Sequence, residues 1–248
     1  MKKIILSATA IIALNSSISA DTIGMEAGYS AWSSSLSGSI KGSNTNDVNI
    51  NLENDLGYGA NKANGFFWVY IDHFVPLIPN FKIQQTNFST SSIKNTNVTY
   101  DNKNYTGKVS SSLKLNQTDF IGYYRLLDNW VNFDLGINIK KIDGQITFSD
   151  NTAITNTDKS FSAYIPMLYA KARFDMPLTG LSIESDINYI GYSGSKFIDM
   201  KAGLVYETSY GLGATLGYRK ENLTLNDIDD TNTNINIDGI YAGLFYHF

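Results

Sequence analysis

Gly239-Ile240-Tyr241-Ala242-Gly243-Leu244-Phe245-Tyr246-His247-Phe248 stands at the C-terminal end of the 248-residue sequence, and its reading decides the fold. Successive side chains of a β-strand point to opposite faces, so a strand sorts its residues by parity. Here Ile240, Ala242, Leu244, Tyr246 and Phe248 fall on one face, and Gly239, Tyr241, Gly243, Phe245 and His247 on the other. The first face is wholly apolar at its core, with an amphipathic ring near its end. No 3.6-residue stripe competes with this period of two.

The same period runs through the chain from residue 22 onward. Ile198, Met200, Ala202, Leu204 and Tyr206 oppose Asp199, Lys201, Gly203 and Glu207. Leu181, Ile183, Ile187 and Tyr189 oppose Ser182, Glu184, Asp186 and Asn188. Val131, Phe133, Leu135, Ile137 and Ile139 oppose Asn132, Asp134, Gly136, Asn138 and Lys140, while Leu168, Ala170, Ala172 and Phe174 oppose Tyr169, Lys171 and Arg173. Segments of about ten residues with one apolar and one charged face are the pattern of a transmembrane barrel.

A soluble sandwich also alternates, because one face of its sheets is buried and the other wet. Two features favour the barrel. Connections alternate between short (76–80, 127–130, 175–180, 208–211) and longer polar ones (33–63, 90–106, 143–160, 226–234), with a brief one at 193–196. Membrane barrels have short turns on one side and long loops on the other. Aromatics also gather in two bands, as interfacial girdles do. Phe74, Phe81, Trp130, Phe174, Tyr206, Tyr210, Tyr246 and Phe248 lie toward the short turns, and Tyr164, Tyr189 and Tyr218 toward the far ends.

The expected fold is therefore all-β, a transmembrane antiparallel up-and-down barrel of about ten strands with both termini periplasmic. The strands are placed near 22–40, 64–74, 81–92, 106–126, 131–146, 160–174, 181–192, 197–207, 211–225 and 234–248. Leu113 and Leu115 are out of phase with Phe120, Gly122 and Tyr124, so a β-bulge or a change of environment is expected between them.

Residues 1–20 read as an address. The basic Met1-Lys2-Lys3, the apolar run Ile4 to Leu14 and the small, polar Asn15 to Ala20 form a secretory signal peptide, cleaved after Ala20, with Ile18 at the −3 position. The apolar run is too short for a spanning helix, which needs about 20 residues. Residues 21–248 then form one outer-membrane barrel domain.

Composition agrees once it is read by faces. The chain has 16 Tyr, 13 Phe, no Cys and only 17% charged residues, against about 25% in an average globular protein. The absence of cysteine excludes disulfides and thiol chemistry. A net charge of −4 lacks the basic stripe that nucleic acid requires. The mean hydropathy of −0.16 reads as soluble only because it averages a lipid-facing half with a polar half.

Four phrases carry a resemblance: Gly24-Met25-Glu26-Ala27-Gly28-Tyr29-Ser30-Ala31-Trp32, Asn54-Asp55-Leu56-Gly57, His73-Phe74-Val75-Pro76-Leu77-Ile78-Pro79-Asn80 and Tyr123-Tyr124-Arg125-Leu126-Leu127-Asp128-Asn129-Trp130. Over the whole mature chain the sequence resembles a family of uncharacterised Gram-negative outer-membrane β-barrel proteins. The resemblance implies a fold and a compartment and no catalytic set. Leu244, Tyr246 and Phe248 look like the sorting signal that such barrels present to the barrel assembly machinery.

Candidate site residues are the charges on the inward faces. Acidic ones are Glu26, Asp72, Asp119, Asp134, Glu184, Asp186, Asp199, Glu207 and Glu221; basic ones are Lys82, Arg125, Lys140, Lys171, Arg173, Lys201 and Arg219. They line either a conduit or a salt-bridged plug. Eight strands leave an interior just filled by side chains, whereas open porins have about sixteen, so a plug is expected. The expected network comprises Lys171, Arg173, Glu184, Asp186, Asp199, Lys201 and Arg219, with Lys171 and Arg173 at its core.

Catalysis, cofactors and metals are not expected. The two histidines, His73 and His247, fall at short-turn ends without a convincing partner for proton transfer. The acidic 226–230 loop lacks the Gly and terminal Glu of a calcium loop. Expected partners are outer-membrane lipid and lipopolysaccharide, with a monomer as the default. The leading function is a structural or narrow, porin-like pore protein. A surface adhesin or ligand-binding barrel acting through its Asn-rich loops is the alternative, and an outer-membrane hydrolase the third.

Overall fold

The computed structural model describes residues 23–41, 47–75, 77–150, 156–228 and 231–248, the last two runs by backbone alone at 227, 228, 231 and 232. Residues 1–20, read above as a signal peptide, Asp21, the Ser43-to-Asn46 cluster, Pro76 and Asp229-Asp230 lie outside them.

Alternation closes into a barrel. The strands are β1 (Ile23–Lys41), the two-residue β2 (Ile50–Asn51), β3 (Lys62–His73), β4 (Asn80–Tyr100), β5 (Lys103–Asp128), β6 (Val131–Ser149), β7 (Asn156–Asp175), β8 (Leu181–Tyr192), β9 (Ser195–Glu207), β10 (Leu212–Ile228) and β11 (Thr231–His247). Each long strand pairs antiparallel with its sequence neighbour, and β11 returns to β1 from Glu26↔His247 to Lys41↔Asn232. Ten long strands thus leave no open sheet edge around the band described next; β2 adds only the rungs Ile40↔Ile50 and Ser39↔Asn51. The Phe248 amide also donates to the Met25 carbonyl at 2.7 Å, fastening the end of the chain to the first strand.

The outward face near the short turns is a continuous apolar band. Leu168, Leu244, Ile137 and Leu216 are 56–68% exposed, a condition that in water would leave an apolar surface far larger than soluble monomers tolerate. On β8 the band runs from Leu181 to Tyr189, roughly 20 Å of height at about 3.3 Å per residue and a tilt of about 40°, close to the ~25 Å band of membrane barrels. Trp130, Phe174, Tyr206, Tyr246 and Phe248 face outward at one margin, and Tyr164, Tyr189 and Tyr218 at the other. Leu244, Tyr246 and Phe248, the residues of the expected sorting signal, all lie on this outward face.

Above the band the faces exchange character. The register row Ile83↔Phe120↔Ile139↔Pro166 is its upper margin on four strands. Beyond that row the outward positions become Gln85 and Asn87, Thr118 and Asn116, Lys141 and Asp143, while the inward ones become Phe88, Leu115, Leu113, Ile142, Ile146 and Phe148. The phase change in β5 is therefore a change of environment. The β5–β6 ladder runs unbroken through 110–125, and its single irregularity falls at the other end, between Arg125 and Leu127.

Most of the expected long loops are instead strand. β4 and β5 join through Asp101-Asn102 alone, both at positive φ (56° and 55°), the geometry of a tight hairpin turn that Asp and Asn tolerate. β6 continues to Ser149, β10 to Ile228, and β11 begins at Thr231. Their Ser-, Thr- and Asn-rich outer faces are polar because they stand clear of the apolar band, and the apolar residues between them point inward. Among the described residues, only the connection from β1 to β3 keeps a long stretch outside the barrel strands. Its Leu52, Leu56 and Tyr58 fold into the barrel and are buried.

Candidate functional site

Inward side chains of neighbouring strands converge at mid-height because the barrel is narrow. Arg219 on β10 is fully buried and donates Nε and Nη2 to the two Asp199 oxygens of β9 at 3.0 and 2.9 Å. Its Nη1 reaches Thr86 Oγ1 at 2.9 Å, and Nη2 lies 2.7 Å from Glu221. The guanidinium also sits 4.9 Å from the ring centres of both Trp32 and Phe66. Lys140, from the opposite wall on β6, pairs with Asp119 and Asp199 at 2.9 Å each and donates to Gln117. Gln117 donates on to Glu221 at 2.7 Å, and Asn138 to Asp119 and Asn188. Beside this knot Lys82 and Lys201 share Asp186 at 3.0 and 3.2 Å.

The eight charged residues of this layer carry four positive charges (Lys82, Lys140, Lys201, Arg219) and four negative ones (Asp119, Asp186, Asp199, Glu221), linked across the lumen. Burying single ions is costly, and such a layer persists only when every charge finds partners. A balanced, cross-braced layer closes the lumen and cancels the field that a selective pore needs.

The expected network residues fall into three groups. Asp199 with Arg219, and Asp186 with Lys201, belong to this layer. Lys171 pairs with Glu184 at 3.0 Å one level nearer the short turns. Arg173 goes to Asp175 at 2.8 Å and, at 3.6 Å, to Glu207 at the short-turn end. Lys171 and Arg173 are thus not the core; Lys140 and Arg219 are. Periodicity assigns a residue to a face but gives no partner across a lumen, so Lys140, Asp119 and the uncharged linkers Gln117, Asn138 and Thr86 were not singled out as the centre.

His73 is absorbed by its turn: Val75 N–H donates to Nδ1 at 3.2 Å, and Nε2 lies 3.0 Å from the Pro79 carbonyl. His247 Nδ1 is 3.1 Å from Glu207 at the short-turn rim, a partner the sequence reading did not supply. Among the described residues no group of three His, Asp or Glu is placed to hold a metal ion.

Above the charge layer lies an apolar cup of about 400 Å³. Its walls include Leu113, Leu115, Ile142, Ile146, Phe197 and Leu223, with Leu52 and Tyr58 contributed by the infolded connection; Gln117 and Glu221 of the charge layer form its floor. Lys41, Lys159, Asp47 and Asp101 stand around it. Outside the apolar band, hydrogen bonding to Asp101 pushes the Lys159 ammonium above the usual lysine range, and hydrogen bonds from Lys141 and Ser162 hold the Asp143 carboxyl below the usual carboxylate range. The sequence signal for the cup was the out-of-phase apolar pair Leu113 and Leu115; Ile142 and Ile146 repeat it on β6.

No known family pattern and no curated protein matches this sequence. Among solved structures, the translocator domain of the autotransporter NalP from Neisseria meningitidis superimposes with a TM-score of 0.46 at 11% identity, over 95% of this chain and 90% of that one. Ail, the attachment invasion locus protein of Yersinia pestis, in complex with the heparin analogue sucrose octasulfate, gives 0.42 at 11%, over 91% and 99%. The Pseudomonas putida toluene transporter TodX gives 0.35 at 8%, over 92% and 90%. These likenesses are distant, and the closed barrel rests on its own strand ladders.

Proposed function

We propose that this protein is an integral barrel of a Gram-negative outer membrane, exported by its signal peptide, that neither conducts nor catalyses and that presents a binding surface to the outside. The observation that carries the reading is the neutral, buried layer around Lys140 and Arg219, which shuts the lumen at mid-height. The short turns then face the periplasm, and the tall hairpins rise through the lipopolysaccharide layer. Lys108, Lys114 and Lys141, on outward positions above the apolar band, suit the phosphates of that layer. The outward row Leu244, Tyr246 and Phe248 serves recognition of the last strand by the assembly machinery, and the closed ladder from β11 to β1 suits a monomer.

Planar-bilayer recording of the refolded protein tests this directly. No stable current steps are expected in potassium chloride at neutral pH; reproducible single-channel steps would overturn the closed-lumen reading and restore a narrow pore. Adhesion is a second reading, favoured by the β4–β5 hairpin, which continues well past the apolar band. Loss of surface binding on trimming residues 94–107, with the barrel still folded, supports it.

A further inference from the structure

The base of the cup and the membrane margin lie at one level. Ile190↔Phe197 and Phe197↔Leu223 are register partners on adjacent strands, and they sit one rung above the outward Tyr189↔Ile198 pair at the upper aromatic band. Beside them the wall steps down. The β7–β8 ladder ends at Leu168↔Tyr189, whereas β7 continues back to Asn156, twelve residues past that rung. The β8–β9 turn stays low and contacts β10 instead, through Ser195 Oγ and the Asn226 amide at 3.0 Å. Lys159, Ser160 and Phe161, on this upper part of β7, are the exposed members of the cup lining. The cup is thus bordered by a notch whose base is at the height of lipid headgroups.

We infer that the cup is a binding site for one hydrocarbon chain of an amphiphile, entered over the β8–β9 turn, with the polar head left at the rim beside Lys41 and Lys159. The inference deepens the binding role proposed above. The wall is largely aliphatic and aromatic, and the polar floor is tied downward into the charge layer, Gln117 to Glu221 and Lys140, and Glu221 to Arg219. Size sets the chain length. A cavity of about 150 Å³ holds a benzene-sized molecule, so 400 Å³ has room for roughly sixteen carbon atoms. For an amphiphile captured from water, each pair of methylenes removed from the chain weakens capture about tenfold. The charges about the rim are two lysines and two aspartates, so the chain, not the head, supplies the selectivity.

Photolabelling of the full barrel in phosphatidylcholine vesicles tests this with two probes, each carrying a terminal diazirine on a sixteen-carbon chain. One is the free fatty acid and the other a phosphatidylcholine. Labelled peptides are mapped by mass spectrometry. Insertion into Leu115, Ile142, Ile146 or Leu223 is the expected result; capture of both probes identifies a membrane lipid chain, and of the acid alone a free amphiphile. The variant Ile146→Trp with Leu223→Trp, which fills the cup, loses these labels while those on the outward Leu135 and Leu168 persist. Its heat-dependent gel shift shows that it has folded, and Ile146→Phe serves if it has not. Labels confined to Leu135, Leu168 and their outward neighbours would overturn the inference. Bilayer conductance of the same preparation reports on the charge layer separately, so failure of the cup and failure of the closed lumen are told apart.

Discussion

Arg219 shows how much one buried side chain can hold. It is braced by Asp199, Glu221 and Thr86 and stacked between Trp32 and Phe66. Arg219→Met keeps the bulk but leaves Asp199 and Glu221 buried with one cation fewer, and breaking a buried pair from one side costs about 3–5 kcal/mol. The urea midpoint of the refolded barrel is expected to fall accordingly. Pairing that change with Asp199→Leu removes one stranded carboxylate, so the double variant is expected to lose less than the sum of the two single losses. Strict additivity would mean that the pair is not energetically linked. A subtler fit lies beside it. Gly203 and Gly217 face inward under Tyr241, and a methyl group on Gly217 would approach that ring to 2.6 Å. The backbone there makes room for an aromatic side chain, a matter of volume that parity does not disclose.

At the scale of strands, the band was legible because its signal is local: residues 131–139 alternate strongly enough to be assigned to faces without any neighbour. Strand lengths were not. β4 runs to Tyr100 through Ser91, Asn95 and Asn97, residues that read as loop when the outer face is assumed to be apolar. Above the membrane margin the outer face meets water, so the polar residues belong outside and Phe88 and Val98 inside. The phase switch was the clue to this inversion, and it was visible at Leu113 and Leu115. The tip of that hairpin gives a test of its own. Asp101 and Asn102 adopt left-handed backbone conformations, which cost an ordinary side chain about 1–2 kcal/mol. Asn102→Val is expected to speed hydrogen exchange of amides 96–107 and to leave 118–125 protected, since local opening follows local stability. Asn102→Gly should be neutral. Equal loosening of both regions would show that the hairpin and the membrane-facing ladder open as one unit.

For the whole molecule, the decisive issue is which faces meet lipid, and the three tryptophans report it. Trp130 stands outward at the short-turn margin and is 59% exposed, whereas Trp32 and Trp68 lie inside at 0% and 7%. Trp68 is further held by a 2.7 Å hydrogen bond from its indole to Glu26. An apolar band turned to lipid therefore predicts unequal quenching. In vesicles of phosphatidylcholine brominated near the head of its chains, Trp130 is expected to carry most of the lost emission, because amphipathic rings rest at headgroup depth. Trp130→Phe then leaves a protein whose remaining emission changes little on bromination. The opposite result, quenching dominated by Trp32 and Trp68, would mean that the charged face meets lipid. That arrangement would put Asp199 and Arg219 in hydrocarbon, at a cost of about 2–4 kcal/mol for the arginine alone. Closure decides between the two orientations. With ten strands joined edge to edge, one face must line a narrow interior, and only the charged face has the reciprocal partners to fill it.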